Sequence, residues 1–270
     1  MKIFLLFFTA FTMSLSISSQ NQLNITDAKG NKQGLWIKRN PKDLIQYMGY
    51  FKDDKPTGTF RYYYPYADTI VRTVLRFQPN GKEAWAQNYH LSKLISSEGK
   101  FINQKKDSIW KFYSEEGFLI CKEYYKNDKK NGLSVNFYPS GQIFNEVTYK
   151  DDLKNGKSTE YYENGKIKSE GNWVNGQQEG KSTHYFPSGT IAASGIYRQG
   201  KKHLVWIYNS SENKPQPREV YNMGTTLEGE AAEKFLKEQK NKTATTSPAG
   251  SNKSTDSKSQ SKATPAAKKK

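Results

Sequence analysis

The sequence predicts an all-β protein, an array of about eight β-hairpin repeats of 24 residues followed by a short helix and a disordered tail. Three observations predict this fold. Residue types recur every 24 residues, and each period alternates short β-rich segments with tight turns. In addition, hydrophobic content is low at 34% and aromatic content is high at 14%. Such a composition favours thin sheets that bury Tyr, Phe and Trp over a thick aliphatic core.

The first predicted element is a secretory signal peptide over residues 1–19. Lys2 supplies the positive charge, residues 3–13 form an apolar run, and the Ser-rich residues 14–19 form the region before the cleavage site. The run is too short for a stable membrane span. No Cys lies near the cleavage site, so the attachment box of a lipoprotein is missing, and the lone Cys121 excludes an intramolecular disulfide. We therefore expect an exported protein, periplasmic, on the outer surface or secreted, that is not a lipoprotein.

After a lead over residues 20–30, the repeats occupy residues 31–225. They begin at Gly34, Gly58, Ala84, Ser108, Gly132, Gly156, Gly180 and Leu204. We count positions from this start residue as position 0. The one irregular step, of 26 residues, follows Gly58, and we place its two-residue insertion in the turn "YPYADT". Position 17 is aromatic in most repeats, and position 2 is Trp in three of them. A register kept over this length indicates structural repeats.

Each repeat is predicted to form one hairpin. In the repeat from Gly156, "STEYY" is β-rich, "ENG" is a tight turn in which Gly can adopt positive φ, and "KIKSEGNW" alternates in polarity. Polar connectors such as "KDDLKNG" and "VNGQQEG" are predicted to link the hairpins. No helical period is present in these units.

The pattern resembles the bacterial variant of the MORN-repeat family. The best matches are "SIWKFYSEEG", "GKSTEYYENGKIKSEGNWVNG" and "GKSTHYFPSGTIAASGIYRQG", within a coverage of about residues 31–224. The resemblance implies an elongated, twisted antiparallel sheet and a binding or scaffold role without catalysis. Ser replaces the Trp at position 2 in three repeats, which weakens any inherited binding surface. Some bacterial members are labelled antitoxins, a role that a signal peptide argues against.

Apparent catalytic motifs belong to the repeat. "GKST" occurs at 156–159 and 180–183 and is similar to a phosphate-binding loop, but the Gly spacing of that loop is missing and a strand and turn follow it. The residues His90, His184 and His203 occupy different repeat positions and are interpreted as surface strand residues. Cys121 fills a position that elsewhere holds a small residue. We predict no catalytic residue, metal site or cofactor, and no enzyme activity.

Beyond the repeats, a short helix is predicted over residues 226–240. Thr225 and Glu228 have capping-box spacing, and Leu227, Ala231 and Phe235 form an apolar stripe that would dock on the last hairpin. Residues 241–270 consist of Lys, Ser, Thr, Ala and Pro with few other types, and are predicted to be disordered.

The functional expectation is a non-enzymatic binding or scaffold module of the cell envelope. The candidate binding stripe is position 5, which holds Tyr89, Tyr113, Phe137, Tyr161 and Tyr185. Self-packing of these rings is the alternative for each of them. The net charge of +16 favours acidic partners. We expect an envelope or extracellular protein, with an anionic lipid or polysaccharide held by the basic tail as the alternative. Nucleic acid is not expected for an exported protein, and the oligomeric state stays open.

Overall fold

The structure is a computed structural model that describes residues 23–212 and 214–245. It contains nineteen strands and one helix in this part of the chain. The elements are β1 (Ile25–Thr26), β2 (Lys32–Arg39), β3 (Ile45–Lys52), β4 (Lys55–Tyr64), β5 (Ala67–Phe77), β6 (Glu83–Tyr89), β7 (Ile95–Ile102), β8 (Lys105–Tyr113), β9 (Leu119–Lys126), β10 (Lys129–Phe137), β11 (Ile143–Lys150), β12 (Leu153–Tyr161), β13 (Ile167–Val174), β14 (Gln177–Gln178), β15 (Gly180–Tyr185), β16 (Ile191–Arg198), β17 (Lys201–Tyr208), β18 (Glu219–Asn222), β19 (Thr225–Leu227) and α1 (Gly229–Thr245).

The strands form one antiparallel meander in which each strand pairs with the next along the chain. The meander continues to β19, and the short strands β14 and β15 both lie along β13. The predicted all-β class, a repeat array in one antiparallel sheet with a C-terminal helix, is confirmed. The predicted signal peptide and residues 246–270 of the predicted tail lie outside the described residues.

Two kinds of turn alternate along the meander. The predicted "ENG" turn is closed by the Tyr162 N–H donating to the Lys166 carbonyl at 2.8 Å, and Gly165 has a φ of 79°. The second kind is a two-residue hairpin turn in which both residues have positive φ, as at Asp151 (48°) and Asp152 (69°). The connectors are therefore shorter than predicted. In "KDDLKNG" only Asp151 and Asp152 form a turn, and β12 already begins at Leu153.

The start residue of a repeat is a bulge with left-handed backbone, which explains its preference for Gly. Gly132 and Gly156 have φ values of 129° and 113°, and the pairing register shifts next to them. Ser108 and Leu204 also have positive φ, at 60°, although neither is Gly. In the repeat from Ala84 there is no shift, and Ala84 pairs directly with the last residue of β5.

The aromatic core consists of position-2 rings, each lying flat on a glycine of the preceding repeat. Phe60, Trp110 and Trp206 are the largest fully buried side chains. Gly99 shows why glycine is needed, since a Cβ there would lie 2.3 Å from Trp110 Cδ2. Gly195 is placed in the same way against Trp206 at 2.3 Å. Ring and glycine thus form one packing unit that the sequence repeats.

The C-terminal helix packs on the last strands of the sheet. Ala232 and Phe235 of α1 are buried against Val220, and Leu236 packs beside them. The predicted stripe was partly wrong, because Ala231 is exposed and Leu227 belongs to β19. The helix spans Gly229–Thr245 instead of 226–240, so the first residues of the predicted disordered segment are helical.

Candidate binding surfaces

The sheet has two faces with different chemistry. Positions 2, 15 and 17 lie on one side, which we call the aromatic face, while positions 1, 3, 5, 14 and 16 lie on the other, which we call the tyrosine face. The register of β12 and β13 illustrates this division, because Ser158 opposes Gly171 on the aromatic face and Thr159 opposes Glu170 on the tyrosine face.

On the aromatic face, lysines two residues before the repeat start extend over the rings. Their Nζ atoms lie over ring centroids at 4.9 Å for Lys32 and Phe51, 4.9 Å for Lys106 and Trp110, 5.3 Å for Lys130 and Tyr149, 4.3 Å for Lys154 and Trp173, and 4.7 Å for Lys202 and Trp206. Each contact is a cation–π interaction. Part of the positive charge of the chain is therefore engaged within the sheet.

Three repeats lack this lysine cover; one of them has Gln178 in its place, and an apolar groove lies at the other two, which begin at Gly58 and Ala84. Pro56 stands at the lysine's position in one repeat, and no described ring contact involves Lys82 in the next. The groove has a volume of about 660 Å³, and Phe51, Phe77 and Phe101 are among its lining residues. Its chemistry suits apolar groups, because most of its lining is aromatic or aliphatic.

The predicted stripe at position 5 lies on the tyrosine face, and the structure brings its members into one row of half-buried rings. Each contacts a defined neighbour: the Tyr89 hydroxyl donates to Gln87 at 3.3 Å, Tyr113 to Glu98 at 2.9 Å, Tyr161 to Glu146 at 3.0 Å and Tyr185 to Glu170 at 2.6 Å, while Lys122 Nζ lies 5.4 Å from the Phe137 ring centroid. Three of the acceptors are glutamates at position 14 of the preceding repeat. The one Phe faces the one Lys at that position, so ring and partner are matched along the array.

These hydrogen bonds also shift the tyrosine titration. Burial, together with the hydrogen bond to Glu98, raises the pKa of Tyr113 to about 12. The hydrogen bond to Glu170 and burial raise the pKa of Tyr185 as well. The hydroxyls of Tyr113 and Tyr185 are thus neutral donors that tie successive repeats together. The pairing of position 5 with position 14 is visible in the sequence once the sheet register is known.

Sequence reasoning missed a second row on the tyrosine face. Trp85, Ile109, Tyr124 and Leu133 are exposed by 41%, 38%, 44% and 39% of their surface; three of them hold position 1 of successive repeats, and Tyr124 holds position 16 of the middle repeat. Ile109 and Tyr124 oppose each other across β8 and β9. A Cβ at Gly132, the residue before Leu133, would lie 2.9 Å from Tyr124 Cβ, so the row continues onto β10. We call these four side chains the apolar row.

The histidines have structural surroundings. His90 lies in a turn, and its Nε2 is 3.1 Å from the Tyr113 carbonyl oxygen of the next repeat. Two repeats later, Tyr138 occupies the same position, and its hydroxyl donates to the Tyr161 carbonyl of the next repeat. The surface interpretation is wrong for His203, which is 4% exposed and packs edge-on against Phe235 of α1 at 5.6 Å. Burial and the nearby Arg198 lower the pKa of His203.

The remaining candidates for chemistry stay apart from one another. Lys157 and Lys181 of the two "GKST" segments are exposed on β12 and β15, so strand, not helix, follows each glycine. Burial raises the pKa of the Cys121 thiol to about 11. Within residues 23–212 and 214–245, no group of three His, Cys, Asp or Glu side chains is placed to hold a metal ion. No helix of the described chain combines the length and hydropathy needed to cross a membrane.

Comparison with known proteins identifies the repeats. The family model described as MORN repeat variant matches residues 130–151 and 154–175. No curated protein matches the chain. A solved structure, the crystal structure of a GtfA/B complex bound to UDP and GlcNAc, aligns with 50% of this chain and 26% of that chain at 11% identity, and its TM-score of 0.21 carries no argument. Residues 130–175 therefore contain two repeats of the MORN variant type, repeated hairpins of the kind that suggests a binding or scaffold module.

Proposed function

We propose that this protein is an exported binding scaffold that holds a protein partner on the tyrosine face of its sheet. The observation that carries the proposal is the apolar row. Single exposed hydrophobic side chains are normal on protein surfaces, whereas an apolar patch of a few hundred Å² is often functional. The exposed parts of its four side chains add up to on the order of 300 Å².

Other surfaces support the proposal less directly. The hydroxyls of the position-5 stripe are hydrogen-bonded within the sheet, and the aromatic face carries lysines over its rings. Export enters the proposal through the predicted signal peptide over residues 1–19. The net charge of +16 favours an acidic partner, and an anionic lipid or polysaccharide is the competing ligand class.

Site-specific photocrosslinking in the native cell tests the binding proposal. A photoreactive residue replaces Ile109 in the apolar row or, as a control, Ile191, which is equally exposed at 42% but lies outside the row. A protein adduct at 109 that is absent at 191 supports the proposal. Absence of an adduct at both positions contradicts it, and so does envelope binding that is unchanged by Ile109→Lys and lost at high salt. Fusion of residues 1–22 to an alkaline phosphatase that is active only outside the cytosol tests export independently.

A further inference from the structure

We infer that the apolar row binds an amphipathic α-helix of the partner that runs across the strands and is acidic where it meets the next repeat. This inference rests on the proposed function and adds the chemistry of the partner. In the last repeat of the described residues, the same positions are covered by helix α1.

Helix α1 covers positions 1 and 16 of the last repeat. Val205 and Val220 form that cross-strand pair, and Val220 is 6% exposed under Ala232 and Phe235. The equivalent pair four repeats earlier, Ile109 and Tyr124, has the same register but no cover. The chain itself therefore shows which element fits these positions, namely an α-helix with small and large apolar side chains one turn apart.

The spacing of the repeats fits a helix laid across the strands. Neighbouring strands lie about 4.8 Å apart, so equivalent positions in successive repeats, two strands apart, are separated by about 9.6 Å. Seven residues of an α-helix rise about 10.5 Å. A helix in this direction thus presents one side chain to each repeat at every heptad. Trp85, Ile109 and Leu133 would each receive an apolar residue of the partner.

Charge specifies the next contact. Position 1 changes from apolar to lysine after Leu133, and the side chain of Lys157 is 69% exposed with Glu170 3.9 Å away. Lys100 opposes Trp85 at position 16 of the first repeat of the row and is paired with Glu83 at 2.6 Å, and Lys111 at position 3 of the next repeat is paired with Glu98 at 3.2 Å. Lys157 is the first cation at position 1 beyond Leu133, and its ion pair is long. A partner helix that follows the row would place an acidic residue opposite Lys157, one heptad beyond its third apolar contact.

Two synthetic peptides test the inference with the full-length protein. The first has about 28 residues, four heptads, with Leu facing the sheet in three heptads and Glu in the fourth. The second has the same composition with the Leu residues moved off the heptad positions. Binding is measured by the fluorescence anisotropy of a label on each peptide.

We expect saturable binding of the heptad peptide only. Ile109→Lys should weaken it by about tenfold, as for a central apolar anchor, while the equally exposed control Ile191→Lys should leave it unchanged. Lys157→Glu should weaken it and should restore binding of a peptide that carries Lys in the fourth heptad. Circular dichroism and the melting temperature confirm that each variant is folded.

Three results would overturn the inference: no binding, equal binding of both peptides, or equal loss in Ile109→Lys and Ile191→Lys. Self-association of the full chain that Ile109→Lys abolishes in sedimentation velocity would assign the row to a second copy and also overturn it. If the crosslink at 109 forms while the heptad peptide fails, the proposed function stands and the helical partner does not.

Discussion

Substitution of Gly99 by Ala tests the packing unit on which the aromatic face depends. The added Cβ would lie 2.3 Å from Trp110 Cδ2 and 2.5 Å from Cγ, whereas carbon atoms in contact are separated by about 3.5–4.0 Å. The ring cannot turn aside easily. Its Nε1–H donates to the Lys100 carbonyl at 3.0 Å, and Phe101 packs against it edge-on at 4.8 Å.

The expected cost follows from this geometry. Overpacking of a filled core costs about 1–3 kcal/mol, and a fully buried, pinned ring belongs at the upper end of that range. We expect Gly99→Ala to lower the free energy of unfolding by about 3 kcal/mol. Gly171 provides a matched control at the same repeat position, because a Cβ there lies 3.5 Å from Ser182 Oγ, an ordinary contact. Neither glycine has positive φ, so Gly171→Ala should change stability by less than about 1 kcal/mol.

A cross-strand pair elsewhere in the chain shows how the clash at Gly99 can be relieved. Val147 opposes Ser158 at the corresponding positions, so a larger residue is accepted where position 2 is small. Gly99→Val should destabilise the wild-type protein and stabilise the Trp110→Ser variant, a change of sign that a double-mutant cycle detects.

Urea unfolding followed by circular dichroism, with hydrogen exchange of the β7 and β8 amides, measures these effects. Equal costs for Gly99→Ala and Gly171→Ala, within about 0.5 kcal/mol, would refute the packing argument. A Gly99→Val effect of the same sign in both backgrounds would refute the proposed compensation.

Three further predictions concern the stripe, the helix and the sheet edge. Tyr185→Phe removes the 2.6 Å hydrogen bond to Glu170 and should lower the free energy of unfolding, measured by urea titration, by about 1 kcal/mol. An unchanged free energy of unfolding would mean that this bond does not stabilise the fold. Because the folded pKa of His203 is lowered, its neutral form stabilises α1 fully above the unfolded pKa of about 6.5, and this stability is lost as the pH falls through the folded pKa. The protection of the α1 amides against hydrogen exchange, relative to the intrinsic rate at each pH, should therefore fall in acid in the wild type and less so in His203→Gln; the opposite order would contradict this. The Asn24 side chain accepts a hydrogen bond from the Ile37 N–H at 2.7 Å and donates one to the Ile37 carbonyl at 3.2 Å. Asn24→Ala should therefore expose the edge of β2 and promote self-association, which sedimentation velocity measures. A variant that stays monomeric at all concentrations would argue against edge protection.

The repeat period, the hairpins and the tight turns could be predicted because local chemistry specifies them. Gly at a turn or at a bulge relieves a backbone strain that involves only its neighbours, as at Gly165 and Gly156. The period carries the same information many times over. The length of the connectors could not be predicted, because Asp151 and Asp152 adopt positive φ although neither is Gly.

The sequence by itself determined the all-β repeat fold, the row of rings at position 5 and the presence of a terminal helix. Only the tertiary structure decided which residues those rings contact and which surfaces stay open. The face of the sheet on which a side chain lies depends on the register that each turn and bulge sets between strands. The pairing of Tyr113 with Glu98 and the exposure of Ile109 therefore follow from cross-strand contacts. For the same reason His203 is buried: α1, which begins 26 residues after it, covers its strand, and nothing in the local sequence of β17 records that cover.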